Sequence, residues 1–129
     1  VQLDKLQAGN VRRGELTDRY RSYFRDSTVS VPFADQASNI LPVYHILPVL
    51  LPSEVDRIAV IGKLKEKRIQ SSIHYPPFWD FSAYKSQFSS ADSPITAQIC
   101  SRQLTLPLFP TMTDTEVDQV TMALLGALK

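Results

Sequence analysis

Residues 71–79 read SSIHYPPFW, and this stretch decides how the fold is interpreted. The apolar residues that lead into it predict a strand over Ile69–Ile73. The two prolines fix φ and remove two backbone donors, so the strand must stop at His74. Each proline also holds the residue before it in extended geometry. The stretch therefore predicts a stiff loop whose rings either serve recognition or pack on the core as a strand end.

Upstream of this loop, the pattern of apolar residues predicts two helices and two strands. Helical spacing predicts a long helix over residues 2–25, and we expect its arginine-rich face to be solvated. A short strand is predicted at Thr28–Val31. A second strand is predicted over Tyr44–Leu51. Because both of its faces are apolar, we expect both to be covered. Ser53 is the predicted cap of a helix over residues 54–67.

Downstream of the loop, the predicted elements are again short. A long irregular segment over residues 78–92 precedes a helix from Pro94 to about Arg102, which Ser93 should cap. A short strand is predicted at Leu104–Leu106. A capping box that begins at Thr113 opens the last helix. The fold class predicted is α+β: a small, mainly antiparallel sheet with helices packed on one face, preceded by a long N-terminal helix.

Composition limits the classes of function. The chain has 129 residues, 43% of them hydrophobic, which is enough for one domain with its own core. Its net charge of +1 comes from 14 basic and 13 acidic residues without a basic stripe, so we expect no nucleic-acid partner. The longest apolar run, Ile40–Leu51, is too short to span a membrane. A single cysteine excludes an intrachain disulfide and is compatible with the cytoplasm.

The residues that usually carry chemistry are scattered. Four separate glycines cannot build a phosphate cradle, and two distant histidines with one cysteine do not predict a metal site. No lysine has the desolvated or electropositive setting that a Schiff base needs, and no carboxylates form an acid–base pair. From its residues alone, the sequence predicts a fold and one recognition loop, with no catalytic, cofactor or metal site.

Several motifs in one register resemble the C-terminal part of the DegT/DnrJ/StrS family. These are pyridoxal-phosphate-dependent nucleotide-sugar aminotransferases of the aspartate-aminotransferase (type I) fold. The similar segments cover the chain: the helix that opens with Gln2-Leu3, YHILPVL at 44–50, IQSSIHYPP at 69–77, and LTLPLFP at 104–110. Two departures stand out. Arg68 replaces a glycine that usually supplies a positive φ, and Trp79 replaces a frequent histidine.

The resemblance implies a position in a longer enzyme. Residues 1–25 would be a linking helix and residues 26–129 an α+β lobe, together forming the C-terminal small domain. A chain that opens at Val1 inside a helix agrees with this expectation. The reactive lysine that holds pyridoxal phosphate would lie in a larger domain, so we expect this domain alone to be inactive. The parent would be a homodimer, and the isolated domain is expected to self-associate through exposed apolar surface.

The resemblance also implies a substrate and a site. The parent would move an amino group from an amino acid, usually glutamate, to a keto-sugar nucleotide. His74 and Tyr75 would form one wall of the substrate pocket, and Phe78 and Trp79 would stack on a sugar or base. His45 matches a recurring family position, for which a structural role is favoured.

Two other functions are compatible with the residues. The first is an independent α+β module whose aromatic loop binds a peptide or a small ligand. The second is a small hydrolase that uses Cys100 and a histidine, although Cys100 reads as a buried apolar residue of a helix.

Overall fold

The computed structural model describes residues 2–34 and 40–129. Within these ranges the chain forms four α-helices, two strands and two short 3₁₀-helices. In chain order they are α1 (Gln2–Phe24), β1 (Leu47–Leu50), α2 (Arg57–Glu66), 3₁₀ turns at Phe78–Asp80 and Ser90–Asp92, α3 (Pro94–Arg102), β2 (Gln103–Leu106) and α4 (Asp114–Ala127). The structure confirms the predicted α+β class: a small antiparallel sheet combined with helices, the longest of which comes first.

The sheet is built around the antiparallel pair of β1 and β2. Its register places Leu47 opposite Leu106 and Leu50 opposite Gln103. Single antiparallel bridges extend it on both sides, from Ser30 to Leu50 and from Ser72 to Thr105. The strands predicted around Ser30 and Ser72 are therefore reduced to one bridge each.

The strand predicted over Tyr44–Leu51 is too long at its start. Tyr44 has a φ of 48°, in the left-handed region, which ends extended geometry and delays β1 until Leu47. Pro48 is tolerated inside β1 because Thr105, opposite it, pairs its own N–H and C=O with Ser72. The backbone N–H that proline lacks would therefore have no partner on β2, and its absence breaks no hydrogen bond of the sheet.

One core joins the sheet to three helices. Helix α4 packs on both α1 and α2, and β2 is buried along its whole length. The largest fully buried side chains come from every layer: Tyr20, Leu16, Leu51, Leu64, Leu104, Leu124, Val49, Val60 and Val117. Burial of this apolar surface is the main stabilising contribution to the domain.

Two arginines of α1, Arg12 and Arg19, fasten this helix to α4, so the prediction of a solvated face is wrong for these two. Arg19 donates to both carboxylate oxygens of Asp118 at 2.7 Å, and the Tyr23 hydroxyl donates to the same carboxylate at 2.8 Å. Arg12 donates to Asp114 at 2.7 Å. The hydrogen bond from Arg19 holds the pKa of Asp118 below its ordinary value. Partners about a hundred residues away in sequence cannot be recognised from helical spacing.

Helix α2 begins later than predicted, at Arg57. Its N-cap is Asp56, whose carboxylate accepts from the backbone N–H groups of Ile58 and Ala59 at 2.8 and 3.3 Å. Ser53 instead donates to Glu54. Because a carboxylate is a strong cap, Asp56 caps the helix in place of the predicted Ser53. Ser93 likewise makes no side-chain cap bond to α3, whereas the predicted capping box of Thr113 and Glu116 is present on α4.

Helix α2 ends in a Schellman motif with an arginine where glycine is usual. The N–H of Arg68 donates to the Lys65 carbonyl at 2.9 Å, and the N–H of Ile69 donates to the Leu64 carbonyl at 3.0 Å. Arg68 has a φ of 61°, as expected for the residue that replaces a glycine.

Replacing Arg68 with glycine should raise the free energy of unfolding by about 1 kcal/mol, because glycine adopts a positive φ without steric cost. Urea denaturation would measure the change. The matched control is Lys67→Gly: Lys67 has a φ of −87°, so glycine there should lower stability by about 0.5–1 kcal/mol. Equal effects at the two positions would contradict the strain assigned to Arg68.

Candidate functional site

The predicted recognition loop leaves the edge of the sheet at Ser72. The Ser72 N–H donates to the Thr105 carbonyl at 3.1 Å and its carbonyl accepts from the Thr105 N–H at 2.8 Å. This bridge brings His74, two residues later, beside β2. The His74–Tyr75 peptide bond is cis.

Three side chains form a hydrogen-bonded group at this edge, which we call the His74 triad: His74, Gln103 and Thr105. The backbone N–H of His74 donates to Gln103 Oε1 at 3.2 Å, and Gln103 Nε2 donates to Thr105 Oγ1 at 2.7 Å. Thr105 Oγ1 lies 3.0 Å from His74 Nδ1. Gln103 and Thr105 are only 5% and 6% exposed, so the group rests on a rigid strand inside the domain.

A cavity of about 630 Å³ opens beside this group, and we call it the His74 cavity. Its wall is made of the C-terminal end of α2, the bridge at Ser72, β2 with the segment after it, and one side of α4. The polar side chains on the wall are His45, Lys67, Arg68, Gln70, Ser72, His74, Thr105, Glu116 and Gln119. The volume and the mixed wall suit a small organic ligand that carries several oxygen acceptors.

Charge in the His74 cavity is mostly positive. The wall contains two cationic side chains, Lys67 and Arg68, and a single carboxylate, that of Glu116. This carboxylate already accepts from the Thr113 backbone N–H at 2.7 Å, a hydrogen bond that lowers the pKa of Glu116. Because the Glu116 carboxylate is engaged in capping α4, the positive charges of Lys67 and Arg68 remain to attract an anionic ligand.

The aromatic residues of the loop lie outside this wall and pack on one another. The ring centroids of Phe78 and Trp79 are 5.2 Å apart, and those of Phe78 and Phe88 are also 5.2 Å apart. Trp79 is 8% exposed, whereas Tyr75 is 71% and Phe78 is 40% exposed. Tyr75 and Phe78 therefore offer free ring surface, and most of the Trp79 ring is used in packing.

The four predicted substrate-binding residues are thus divided between two places. His74 lines the His74 cavity and has the ring of Tyr75 against its own, while Phe78 and Trp79 belong to the neighbouring aromatic cluster. Their contact with a substrate stays a prediction. The structure also brings His45 into the wall of the same cavity as His74, which the distance between them in sequence did not suggest.

Sequence reasoning missed Gln103 and Thr105. One available signal was the alternation of polar and apolar residues in β2, where Gln103 and Thr105 flank Leu104 in a strand that is buried throughout. Buried polar side chains need partners, so such residues point to a hydrogen-bonded group.

The lysines provide a test of whether this chain could hold pyridoxal phosphate. All six are exposed to solvent, and one of them, Lys63, donates to the Ala127 carbonyl at the end of α4 at 2.9 Å. A Schiff-base lysine requires a desolvated or electropositive setting. None of the six lysines therefore has the desolvated setting.

Residues 2–34 and 40–129 contain neither a metal-binding group nor a membrane-spanning helix. His, Cys, Asp and Glu side chains form no group of three or more there that could hold a metal ion. Over the same ranges, no helix is both long enough and apolar enough to cross a membrane.

Comparison with known proteins gives a consistent result. A family model described as the DegT/DnrJ/EryC1/StrS aminotransferase family matches residues 1–125. Among solved structures, the chain is similar to Spr1654 of Streptococcus pneumoniae, assigned as a sugar aminotransferase, with 28% identity and a TM-score of 0.90. That match covers 98% of this chain and 32% of Spr1654, and the protein has also been solved in its pyridoxal-phosphate (PLP) form.

More distant structures share the fold. Helicobacter pylori PseC, an aminotransferase involved in the biosynthesis of pseudoaminic acid, matches with 18% identity and a TM-score of 0.88. The match covers 98% of this chain and 34% of the PseC chain. TlmJ, an aminotransferase from Streptoalloteichus hindustanus, matches with 24% identity and a TM-score of 0.87, covering 99% of this chain and 34% of TlmJ. The chain thus spans about a third of the length of the structures that it matches.

Proposed function

Because this chain belongs to the DegT/DnrJ/EryC1/StrS aminotransferase family, we propose that it is the C-terminal small domain of a longer sugar aminotransferase. The observation that carries the proposal is the family match over residues 1–125. The shared fold with Spr1654 over 98% of the chain supports it. In this arrangement, residues 1–25 link the two domains and residues 26–129 form the lobe.

The proposed reaction moves an amino group from an amino acid, with glutamate as the expected donor, to a keto-sugar nucleotide. Pyridoxal phosphate carries the nitrogen between the two substrates when it is bound to the parent enzyme. Its lysine lies in the larger domain, in keeping with the exposure of every lysine here. We expect the parent to be a cytoplasmic homodimer and this domain alone to be inactive.

The role of this domain is to bind and orient the keto-sugar nucleotide. His74 offers a hydrogen bond from the wall of its cavity, where Lys67 and Arg68 supply positive charge for an anionic ligand. The exposed rings of Tyr75 and Phe78 offer stacking surface for a sugar or base, and Trp79 packs edge-to-face against Phe78. The domain thereby restricts the orientation of the ketone before nitrogen transfer.

The test is an assay of the complete protein with glutamate and a panel of keto-sugar nucleotides. We expect 2-oxoglutarate and one aminated sugar nucleotide to form in equal amounts, and the 129-residue domain alone to form neither. Glutamate-dependent amination by the isolated domain would overturn its assignment as a supporting domain. Failure of the complete protein with every keto-sugar nucleotide would overturn the substrate class.

The alternative function is an independent module that binds a peptide or small ligand through the aromatic loop. The exposure of Tyr75 and Phe78 is the observation in its favour. It would be supported over the enzyme if the complete protein were inactive and a ligand protected these two rings from solvent.

A further inference from the structure

We propose that Gln103 and Thr105 are positioning residues that hold His74 as a neutral imidazole with its proton on Nε2. In this form His74 donates from Nε2 to an oxygen acceptor of the bound keto-sugar nucleotide. The identity of the ligand rests on the proposed function, whereas the protonation pattern rests only on the geometry of the His74 triad.

The first step fixes the orientation of the Gln103 amide. A backbone N–H can only donate, so the Gln103 atom 3.2 Å from the His74 nitrogen must be the oxygen. The other end of the amide is then the NH₂ group, which donates to Thr105 Oγ1 at 2.7 Å. The backbone N–H of His74 therefore sets the orientation of the Gln103 amide. That orientation in turn makes Gln103 the donor in its hydrogen bond to Thr105.

The second step fixes the Thr105 hydroxyl. Its oxygen accepts from Gln103, and its single hydrogen is left to donate to His74 Nδ1, 3.0 Å away. Were Nδ1 protonated, the hydroxyl would accept twice, and its hydrogen would have no acceptor among the described residues. Thr105 is 6% exposed, so such a buried donor would go unsatisfied at a cost in free energy. All three side chains are satisfied only when Nδ1 is an acceptor and the proton is on Nε2.

The third step concerns what His74 presents to a ligand. Nε2 has no hydrogen-bond partner within residues 2–34 and 40–129, and His74 lines the cavity together with Lys67 and Arg68. An N–H donor beside two cations favours an oxygen that only accepts, such as a phosphate or ketone oxygen of the keto-sugar nucleotide, over a donor group. The His74 triad would thus contribute to ligand specificity by keeping the imidazole proton on Nε2, where it can be donated to the ligand.

The test measures the tautomer directly in the complete protein labelled with ¹⁵N at histidine. Two-bond ¹⁵N–¹H correlation spectra distinguish the two neutral forms, and the His74 signals are those lost in His74→Phe. We expect the Nε2–H form to exceed the Nδ1–H form by about tenfold or more in the wild type and in Thr105→Ser, which keeps the hydroxyl. Thr105→Val should lower this ratio severalfold.

A dominant Nδ1–H form of His74 in the wild type would overturn the proposal, whatever the Thr105 variants show. An unchanged ratio in Thr105→Val would also overturn it. Kinetics give the second readout: KM for the keto-sugar nucleotide should rise about tenfold in Thr105→Val, stay near wild type in Thr105→Ser, and be unchanged for the amino donor. A correct tautomer in a protein that aminates no sugar nucleotide would refute the proposed function alone.

Discussion

Replacing His74 with phenylalanine in the complete enzyme should lower kcat/KM for the keto-sugar nucleotide by about 10- to 100-fold. Phenylalanine keeps a ring against Tyr75, whose centroid lies 5.1 Å from that of His74, but it removes both nitrogens. A hydrogen bond to a charged or strongly accepting group contributes about 1.5–3 kcal/mol, which corresponds to the predicted fold-change. Steady-state kinetics with the keto-sugar nucleotide as the varied substrate would measure it.

The amino-acid half of the reaction is the internal control for this substitution. His74 is proposed to contact the sugar nucleotide and not the donor, so release of 2-oxoglutarate in a single turnover without the sugar should stay within about threefold of wild type. Ile95→Ala, at a position 72% exposed on α3, controls for unspecific effects. An equal loss in both half-reactions would contradict the assignment of His74 to the sugar nucleotide.

Replacing Leu124 with alanine should lower the free energy of unfolding by about 2–5 kcal/mol. Leu124 is fully buried in α4, the helix that packs on both α1 and α2. The substitution removes apolar contacts and leaves a cavity that the surrounding helices can fill only in part. This loss is a large fraction of the roughly 5–15 kcal/mol that stabilises a typical domain. Urea denaturation followed by circular dichroism would measure it.

The matched control for Leu124 is Leu41→Ala. Leu41 is 92% exposed, so its truncation should change stability by less than about 0.5 kcal/mol in the same experiment. A loss below about 1 kcal/mol at Leu124, or an equal loss at Leu41, would show that α4 does not organise the core as described.

The fold could be predicted where the determinants are local in sequence. The first helix follows from helical spacing, and the last helix follows from the capping box of Thr113 and Glu116, which the structure contains. The edges of the sheet were harder to predict, because the left-handed Tyr44 shortens β1 and Ser72 contributes only one bridge. Both depend on tertiary pairing that the alternation of residues does not encode.

The arginines of α1 show the same limit. A helix face rich in arginine reads as solvated, and the carboxylates that turn Arg19 into a tertiary contact lie on α4. Their sequence separation is 95 residues for Asp114 and 99 for Asp118. Only the packing of α1 on α4 reveals them.

The candidate site could be predicted in part. The loop pointed to His74, and the family resemblance pointed to the unusual backbone of Arg68, which has the positive φ expected there. The His74 triad was missed, because Gln103 and Thr105 lie 29 and 31 residues from His74 and meet it only across the sheet. The alternation of Gln103 and Thr105 with apolar residues in β2 was the one local indication.

The most direct test of the proposed substrate site is a crystal structure of the complete enzyme with the aminated sugar nucleotide bound. We expect an oxygen of the ligand within about 3.2 Å of His74 Nε2 and one of its rings against Tyr75 or Phe78. A ligand bound at the catalytic lysine of the larger domain, with only water in the His74 cavity, would contradict the role proposed for this domain.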